Sequence, residues 1–254
     1  MLFYRLLSFL VPLVTACLVS LLFWQASLTY LVFIASGLIS FFGTWWLIIT
    51  KIKSKKEAFF YSLFSLLIIF SGLTIFLFIE NIALKIGLSL ITVLLFFLYL
   101  NELFNLYFKK PFSQTERLWL FYRLAQVFII FLAASSLFGF RDFLSTPLIL
   151  LLALFLILVI LLTRYNDWQR WEITIKKLPF RILLAVIMVQ LFWAVSLLPL
   201  VYYIKGILIA IFYSVLNESI IWYFERKYQS KLVRSYLIIV FILVALILVT
   251  AQWF

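Results

Sequence analysis

The sequence predicts an all-α polytopic membrane protein of about nine transmembrane helices, arranged as a parallel 4+4 helix repeat plus one extra C-terminal helix. Apolar residues occupy 67% of the 254 positions, and the mean hydropathy is +1.23. Soluble domains are only about 45–50% apolar, so this composition excludes a water-soluble fold. The apolar residues form runs near the roughly 20 residues that a helix needs to cross a bilayer. The repeat is predicted because polar residues recur in order at nearly one spacing.

The first four apolar segments are joined by short polar connections. The first follows Arg5, and its Val14–Cys17 stretch also fits a bacterial lipoprotein cleavage site. We expect this segment to be retained, because it has a counterpart later in the chain. The second carries Ser36, Ser40 and Thr44 at helical spacing, where small side chains let helices pack closely. The four segments are 6–24, 28–50, 58–79 and 86–108.

The remaining segments continue this pattern to the C-terminus. The fifth opens on a Tyr-Arg pair as the first does, and the eighth ends in a polar cluster as the fourth does. The sixth is an uninterrupted apolar run, and the seventh holds a glutamine near its middle. All connections are about 3 to 16 residues long, too short to form a separate domain. These segments are 118–138, 147–163, 180–198, 206–224 and 236–252.

Basic residues predict how the chain is oriented. With nine spans, only Lys85, Arg141 and Lys205 of the 21 Lys and Arg residues fall on one side of the membrane. Cytoplasmic loops retain Lys and Arg, so the other side is predicted to be the cytoplasm. The N-terminus is then cytoplasmic and the C-terminus lies on the opposite side. Basic alternating loops of this kind suit the plasma (inner) membrane of a bacterium.

A four-helix unit is predicted to occur twice. Leu2–Leu6 recurs as Leu120–Leu124, and Leu100–Glu102 recurs as Leu216–Glu218, each followed by Tyr-Phe at the same distance. The residue numbers differ by 118 at the start and by 116 at the end. An even number of helices gives both copies one orientation, related by an axis along the membrane normal. The predicted divisions are 1–117 (first repeat), 118–234 (second repeat) and 235–254 (ninth helix).

Charged residues inside the segments are the first candidates for a site. Glu102 lies about 9 Å inside the fourth segment at 1.5 Å per residue, and Glu218 lies equally deep in the eighth. Arg5 and Arg123 lie at comparable depth, so we expect Arg5 to pair with Glu102 and Arg123 with Glu218. These pairs can lock each repeat, or form a cytoplasm-facing site for a headgroup, an anion or a proton; the third alternative is snorkelling to water.

Four amides accompany the charges. Asn101 and Asn217 adjoin the two glutamates and extend their polar surroundings. Gln126 and Gln190 are predicted near mid-membrane, where a glutamine forms an interhelical hydrogen bond worth about 0.6 to 2 kcal/mol or lines a pathway.

Two segments indicate what the protein contacts, one a lipid surface and the other a protein partner. Residues 164–179 place Trp168, Trp171, Ile175 and Leu178 on one face between charged residues, typical of an amphipathic helix in the interface. We expect it to anchor on anionic lipid at the cytoplasmic face, the alternatives being a gate or a docking surface. The ninth segment lies outside the repeat and is a candidate for contact with a protein partner.

The sequence excludes several chemistries. It contains no histidine and one cysteine, Cys17, so His-dependent catalysis, metal sites and a disulfide framework are not expected, nor is any cofactor. The basic residues are dispersed between spans, which argues against nucleic acid as a partner. No catalytic residue is assigned; a lipid-modifying activity using Glu, Tyr and Arg stays open as the weakest alternative.

The sequence is compatible with two classes of function. The first is a transporter, permease or flippase-like protein for a small solute or lipid, suggested by the repeat and its charged residues. The alternative is a non-catalytic membrane subunit or scaffold of a larger complex, suggested by the short loops and the unpaired ninth helix.

Overall fold

A computed structural model describes residues 2–24, 28–52, 55–109, 114–169 and 178–224, with a few isolated positions between 238 and 249. These residues form eight α-helices and no strand. A π-helical turn, Asn105–Lys109, directly continues the fourth helix. The helices are α1 (Leu2–Trp24), α2 (Thr29–Ile49), α3 (Lys55–Ile75), α4 (Ile82–Phe104), α5 (Gln114–Leu144), α6 (Leu148–Gln169), α7 (Leu178–Ser196) and α8 (Tyr202–Phe224).

The helices have the length and polarity of membrane spans. Seven of those described are long and apolar enough to cross a bilayer, and α6 contributes a shorter apolar stretch, Leu148–Thr163. The protein is therefore embedded in a membrane. The ninth predicted segment, 236–252, falls almost entirely outside the described residues. The same holds for the predicted interfacial segment 164–179, of which only the backbone at its two ends is described, in α6 and α7.

The chain forms two compact units, Met1–Ile129 and Ile130–Phe254. In the first, α2 packs against α1 and α3, and α4 packs against α1 and α3. Small residues permit these approaches, because a Cβ at Gly72 of α3 would collide with Thr92 of α4. The hydroxyl side chains of α2 are buried as the sequence predicts, and Ser65 of α3 donates to the carbonyl oxygen of Ser40 at 3.0 Å.

An aromatic core joins the helices of the first unit. Phe64, Tyr99 and Tyr122 are buried, and their ring centroids lie 5.2 to 5.6 Å apart. The Tyr99 hydroxyl donates to the backbone carbonyl of Tyr61 at 2.6 Å, which satisfies the one polar group that this ring brings into the core.

The second unit is centred on α7, which packs against α6 and α8. Phe192 of α7 stacks on Phe138 of α5 and Phe155 of α6, with centroids 4.2 and 4.6 Å away. Helix α8 approaches α5 at Gly206, where a Cβ would overlap Ser135. These contacts place the start of α8 against the last turns of α5.

Several helices extend beyond the predicted segments. Helix α4 begins at Ile82 because Asn81 caps it, accepting from the backbone N–H groups of Ala83 and Leu84. The predicted segments 118–138 and 147–163 leave Asp142 in a connecting loop, and this prediction is wrong because helix α5 continues to Leu144. In this last part of α5, Asp142 forms an ion pair with Lys205 of α8, as described below.

Candidate functional site

Glu102 lies on the last turn of α4, two turns from the end of an apolar span. It is half-buried, as is the neighbouring Asn101. Among the described residues, no side chain or backbone group donates a hydrogen bond to the Glu102 carboxylate. A carboxylate in an apolar helix without a donor is costly, which marks this position as a candidate for binding.

The π-helical turn starts three residues after Glu102. The backbone N–H of Asn105 is shared between the carbonyl oxygens of Asn101 and Glu102, and the helix widens from there. The Asn105 Oδ1 atom is buried, and no described group donates to it. Residues three apart on a helix share a face, so the Glu102 carboxylate and this amide oxygen form a pair of acceptors. Single π-helical turns inside α-helices occur frequently at functional sites.

Aromatic rings surround the π-helical turn. Tyr107 packs edge-on against Tyr61 with centroids 6.0 Å apart, and Phe108 lies 4.9 Å from the ring of Tyr4. The Lys51 ammonium group lies 5.5 Å from the Phe108 ring centroid, a cation–π contact. These ring contacts belong to the π-helical turn that follows Glu102, and Lys51 contacts the same turn through Phe108.

Arg5 does not complete this site in the described structure. It is exposed on α1, and neither a hydrogen bond nor an ion pair joins its side chain to Glu102. The predicted Arg123 and Glu218 pair divides between the two units, with Arg123 half-buried in the first and Glu218 half-buried in the second. Their pairing stays a prediction.

The amides differ in their surroundings. Gln126 is fully buried in α5, and Asn217 is buried next to Glu218 in α8. Gln190, in contrast, is exposed on α7, so no described helix covers it. Of the two glutamines, only Gln126 is buried in the described part of the chain.

The second unit contains a charged cluster that the sequence analysis did not identify. Lys205 of α8 is buried, and its Nζ lies 3.3 Å from Asp142 Oδ2 and 5.7 Å from the Phe138 ring centroid. Next to Asp142, Arg141 Nη1 donates to Ser196 Oγ of α7 at 2.8 Å. We call Arg141, Asp142, Ser196 and Lys205 the α5-end cluster. It joins the end of α5 to the end of α7 and the start of α8.

Two sequence features point to the α5-end cluster in retrospect. Arg141 and Lys205, which belong to it, are two of the three basic residues on the side predicted to carry few positive charges. Asp142 is the acidic residue adjoining Arg141, and a carboxylate near a helix C-terminus is unfavourable unless a cation compensates it. Spacing alone cannot pair Asp142 with Lys205, because 63 residues separate them.

No known protein family, curated protein or solved structure matches the chain. Among the described residues, no group of three or more His, Cys, Asp or Glu side chains is arranged to hold a metal ion.

Proposed function

We propose that the protein is a transporter or permease, or a flippase-like carrier, for a small solute or lipid, with a polar site near the cytoplasmic side. The observation that carries the proposal is Glu102, a half-buried carboxylate without a described donor in a membrane-length helix, followed by a π-helical turn. Ionisable groups inside spans mark substrate, ion or proton pathways by default.

The acceptors define what the site would bind. The Glu102 carboxylate and Asn105 Oδ1 are both hydrogen-bond acceptors, so neither can donate to the other. No described group donates a hydrogen bond to either of them. They favour a ligand that brings hydrogen-bond donors or positive charge, since such a ligand compensates a half-buried carboxylate. Aromatic rings beside them suit the apolar part of such a ligand.

A 4+4 repeat is the second part of the proposal. Contacts inside the units support it: α1 packs on α4, and in the second unit α5 contacts α8 through Asp142 and Lys205. Likewise α2 packs on α3 and α3 on α4, as α6 packs on α7 and α7 on α8. These recurring neighbours are what duplication of a four-helix unit predicts, whereas the boundary between the two compact units lies within α5 and the α1–α2 packing has no described counterpart. Glu218 would then be the counterpart of Glu102.

Native mass spectrometry of the protein extracted gently from its membrane tests the proposal. We expect a small molecule or lipid to remain bound, and Glu102→Gln or Glu218→Gln to remove it. The matched control is Glu80→Gln, which makes the same chemical change at an exposed carboxylate between α3 and α4. A ligand retained by both variants, or lost equally in the control, contradicts the proposal.

The alternative is a membrane subunit or scaffold, and the exposed Gln190 favours it. A glutamine on the lipid-facing side of a span lacks a partner unless another helix supplies one, and polar groups of this kind hold transmembrane helices together. The ninth segment or a separate protein could provide that helix. A stoichiometric protein partner that is lost in Gln190→Leu, but survives both glutamate variants, would establish this function instead.

A further inference from the structure

The α5-end cluster has more positive charge and more hydrogen-bond donors than its own residues use. It contains two cations, Arg141 and Lys205, and one anion, Asp142. Lys205 Nζ contacts both carboxylate oxygens of Asp142, at 3.4 and 3.3 Å, so these two charges compensate each other. The positive charge of Arg141 is therefore not compensated within the cluster.

Arg141 also has unused donors. Within the described part of the chain, Ser196 Oγ is the only acceptor that its guanidinium contacts. A guanidinium presents several N–H groups in a rigid fork, and one hydrogen bond to a hydroxyl occupies only one of them. The remaining N–H groups fit the oxygens of a planar or tetrahedral anion, which they can bind in pairs.

The geometry holds Arg141 in place before a ligand arrives. Ser196 is buried, and its hydroxyl donates in turn to the carbonyl oxygen of Trp193 at 2.5 Å. The chain of hydrogen bonds runs from α5 into the last turn of α7, which restricts the guanidinium to one region. A tethered side chain loses less entropy on binding than a free one.

The surroundings of Arg141 are amphipathic. The residues that follow the charged pair, Phe143 and Leu144, are 62% and 63% exposed. Apolar surface directly beside an unused guanidinium matches a molecule with an anionic head and hydrocarbon chains. The cluster lies at the end of spans rather than at their middle, which is the depth of lipid headgroups.

We propose that the α5-end cluster binds a phosphate group, with Arg141 as the residue that contacts its oxygens and Lys205 held nearby by Asp142. The phosphate can belong to a phospholipid headgroup or to inorganic phosphate, since both present the same oxygens. The site is separate from the glutamates of the proposed transport function, so neither proposal depends on the other.

Titration of the full-length protein, delipidated in mild detergent, tests this assignment. The probes are phosphatidylglycerol, diacylglycerol with the same acyl chains, and inorganic phosphate. Native mass spectrometry counts bound lipid, and thermal melting compares phosphate with chloride at matched ionic strength. We expect Arg141→Gln to weaken phosphatidylglycerol binding about tenfold, as loss of one charge-assisted contact would. Diacylglycerol binding should not change.

Lys85→Gln is the matched control. It removes the same charge from a half-buried position in the first turn of α4, on the same predicted side of the membrane. Binding of phosphatidylglycerol that depends on Arg141 assigns the site to lipid. A stabilisation by inorganic phosphate that depends on Arg141, without added affinity for the lipid, assigns it to the free anion. Equal effects of Arg141→Gln and Lys85→Gln overturn the proposal, as does no effect of either.

Two further variants keep the test decisive if Arg141→Gln does not fold. Arg141→Lys keeps the charge but lacks the fork, and Ser196→Ala keeps the guanidinium but removes its tether. We expect each to weaken binding about threefold in protein that elutes as a single species. Unchanged affinity in both variants overturns the proposal.

Discussion

The Tyr99 hydroxyl of α4 donates to the main-chain carbonyl oxygen of Tyr61 in α3 at 2.6 Å, and both residues are buried. A side chain from one span thus bonds to the backbone of the next, and the bond is buried inside the protein. Loss of the donor leaves the carbonyl oxygen with fewer partners, and loss of the ring would leave a cavity. Substitution of Tyr99 by phenylalanine separates these two effects, because it removes the donor but keeps the ring.

Tyr99→Phe should destabilise the protein by about 1 kcal/mol, because it removes one buried hydrogen bond and preserves the ring packing. Equilibrium unfolding in mixed detergent micelles measures the change. The control is Tyr30→Phe, which removes the same hydroxyl from a side chain that is 85% exposed. Equal stability of the two variants would show that the hydrogen bond contributes nothing.

Asp142→Asn should destabilise the second unit, because it leaves the buried Lys205 ammonium without its counter-ion. The Asp142 side chain is 34% exposed, so solvent screens part of the interaction and we expect about 1–3 kcal/mol. The double variant Asp142→Leu with Lys205→Met should recover much of this loss in the same unfolding assay. A double variant no more stable than Asp142→Asn would contradict the ion-pair explanation.

Gly206→Ala should destabilise the protein by about 1–3 kcal/mol, since the added methyl group would overlap Ser135 and separate α8 from α5. Gly87→Ala is the matched control in α4, where nothing lies within 4 Å of the new methyl group. That control should be neutral or stabilising by up to about 1 kcal/mol, because alanine favours helices. A destabilisation of equal size in both variants would mean that close packing at Gly206 is not the cause.

The predicted orientation can be tested with single cysteines. In a Cys17→Ala background, which has no other cysteine, Thr50→Cys and Ser145→Cys each place a thiol at an exposed position just beyond a helix. The charge distribution places position 50 in the cytoplasm and position 145 outside. A membrane-impermeant maleimide should therefore label Ser145→Cys in intact cells and Thr50→Cys only after permeabilisation. The reverse pattern would invert the topology.

The lengths of the apolar runs located the helices, because bilayer thickness sets the length of a helix that crosses the membrane. The buried hydroxyls of α2 were predictable for a similar reason, since small polar side chains at helical spacing have few other uses. The extension of α5 through Asp142 was not predicted, because its ion-pair partner Lys205 is 63 residues away in the sequence. The π-helical turn after Glu102 was also not predicted, because widening of a helix leaves no signal in hydropathy.

For the candidate residues too, some properties were predictable from the sequence and others were not. The helix to which a residue belongs is readable from the apolar runs, and Glu102 and Asn217 lie within α4 and α8. The direction in which a side chain faces depends on which helices pack around it. Gln126 and Gln190 look equivalent in sequence, yet one is fully buried and the other exposed.

A π-helical turn follows Glu102 in α4, whereas the described part of α8, its predicted counterpart, stays α-helical after Glu218. Tyr107 follows Glu102, and Tyr223 follows Glu218, by the same number of residues. The backbone between Glu102 and Tyr107 is partly π-helical, whereas the backbone between Glu218 and Tyr223 is α-helical throughout. A π-helical turn rotates less per residue, so equal spacing in sequence becomes unequal angular phase around the two helix axes. In a carrier of the proposed kind, this difference would break the pseudo-symmetry, and the two glutamates would not be interchangeable even though Leu-Asn precedes each of them.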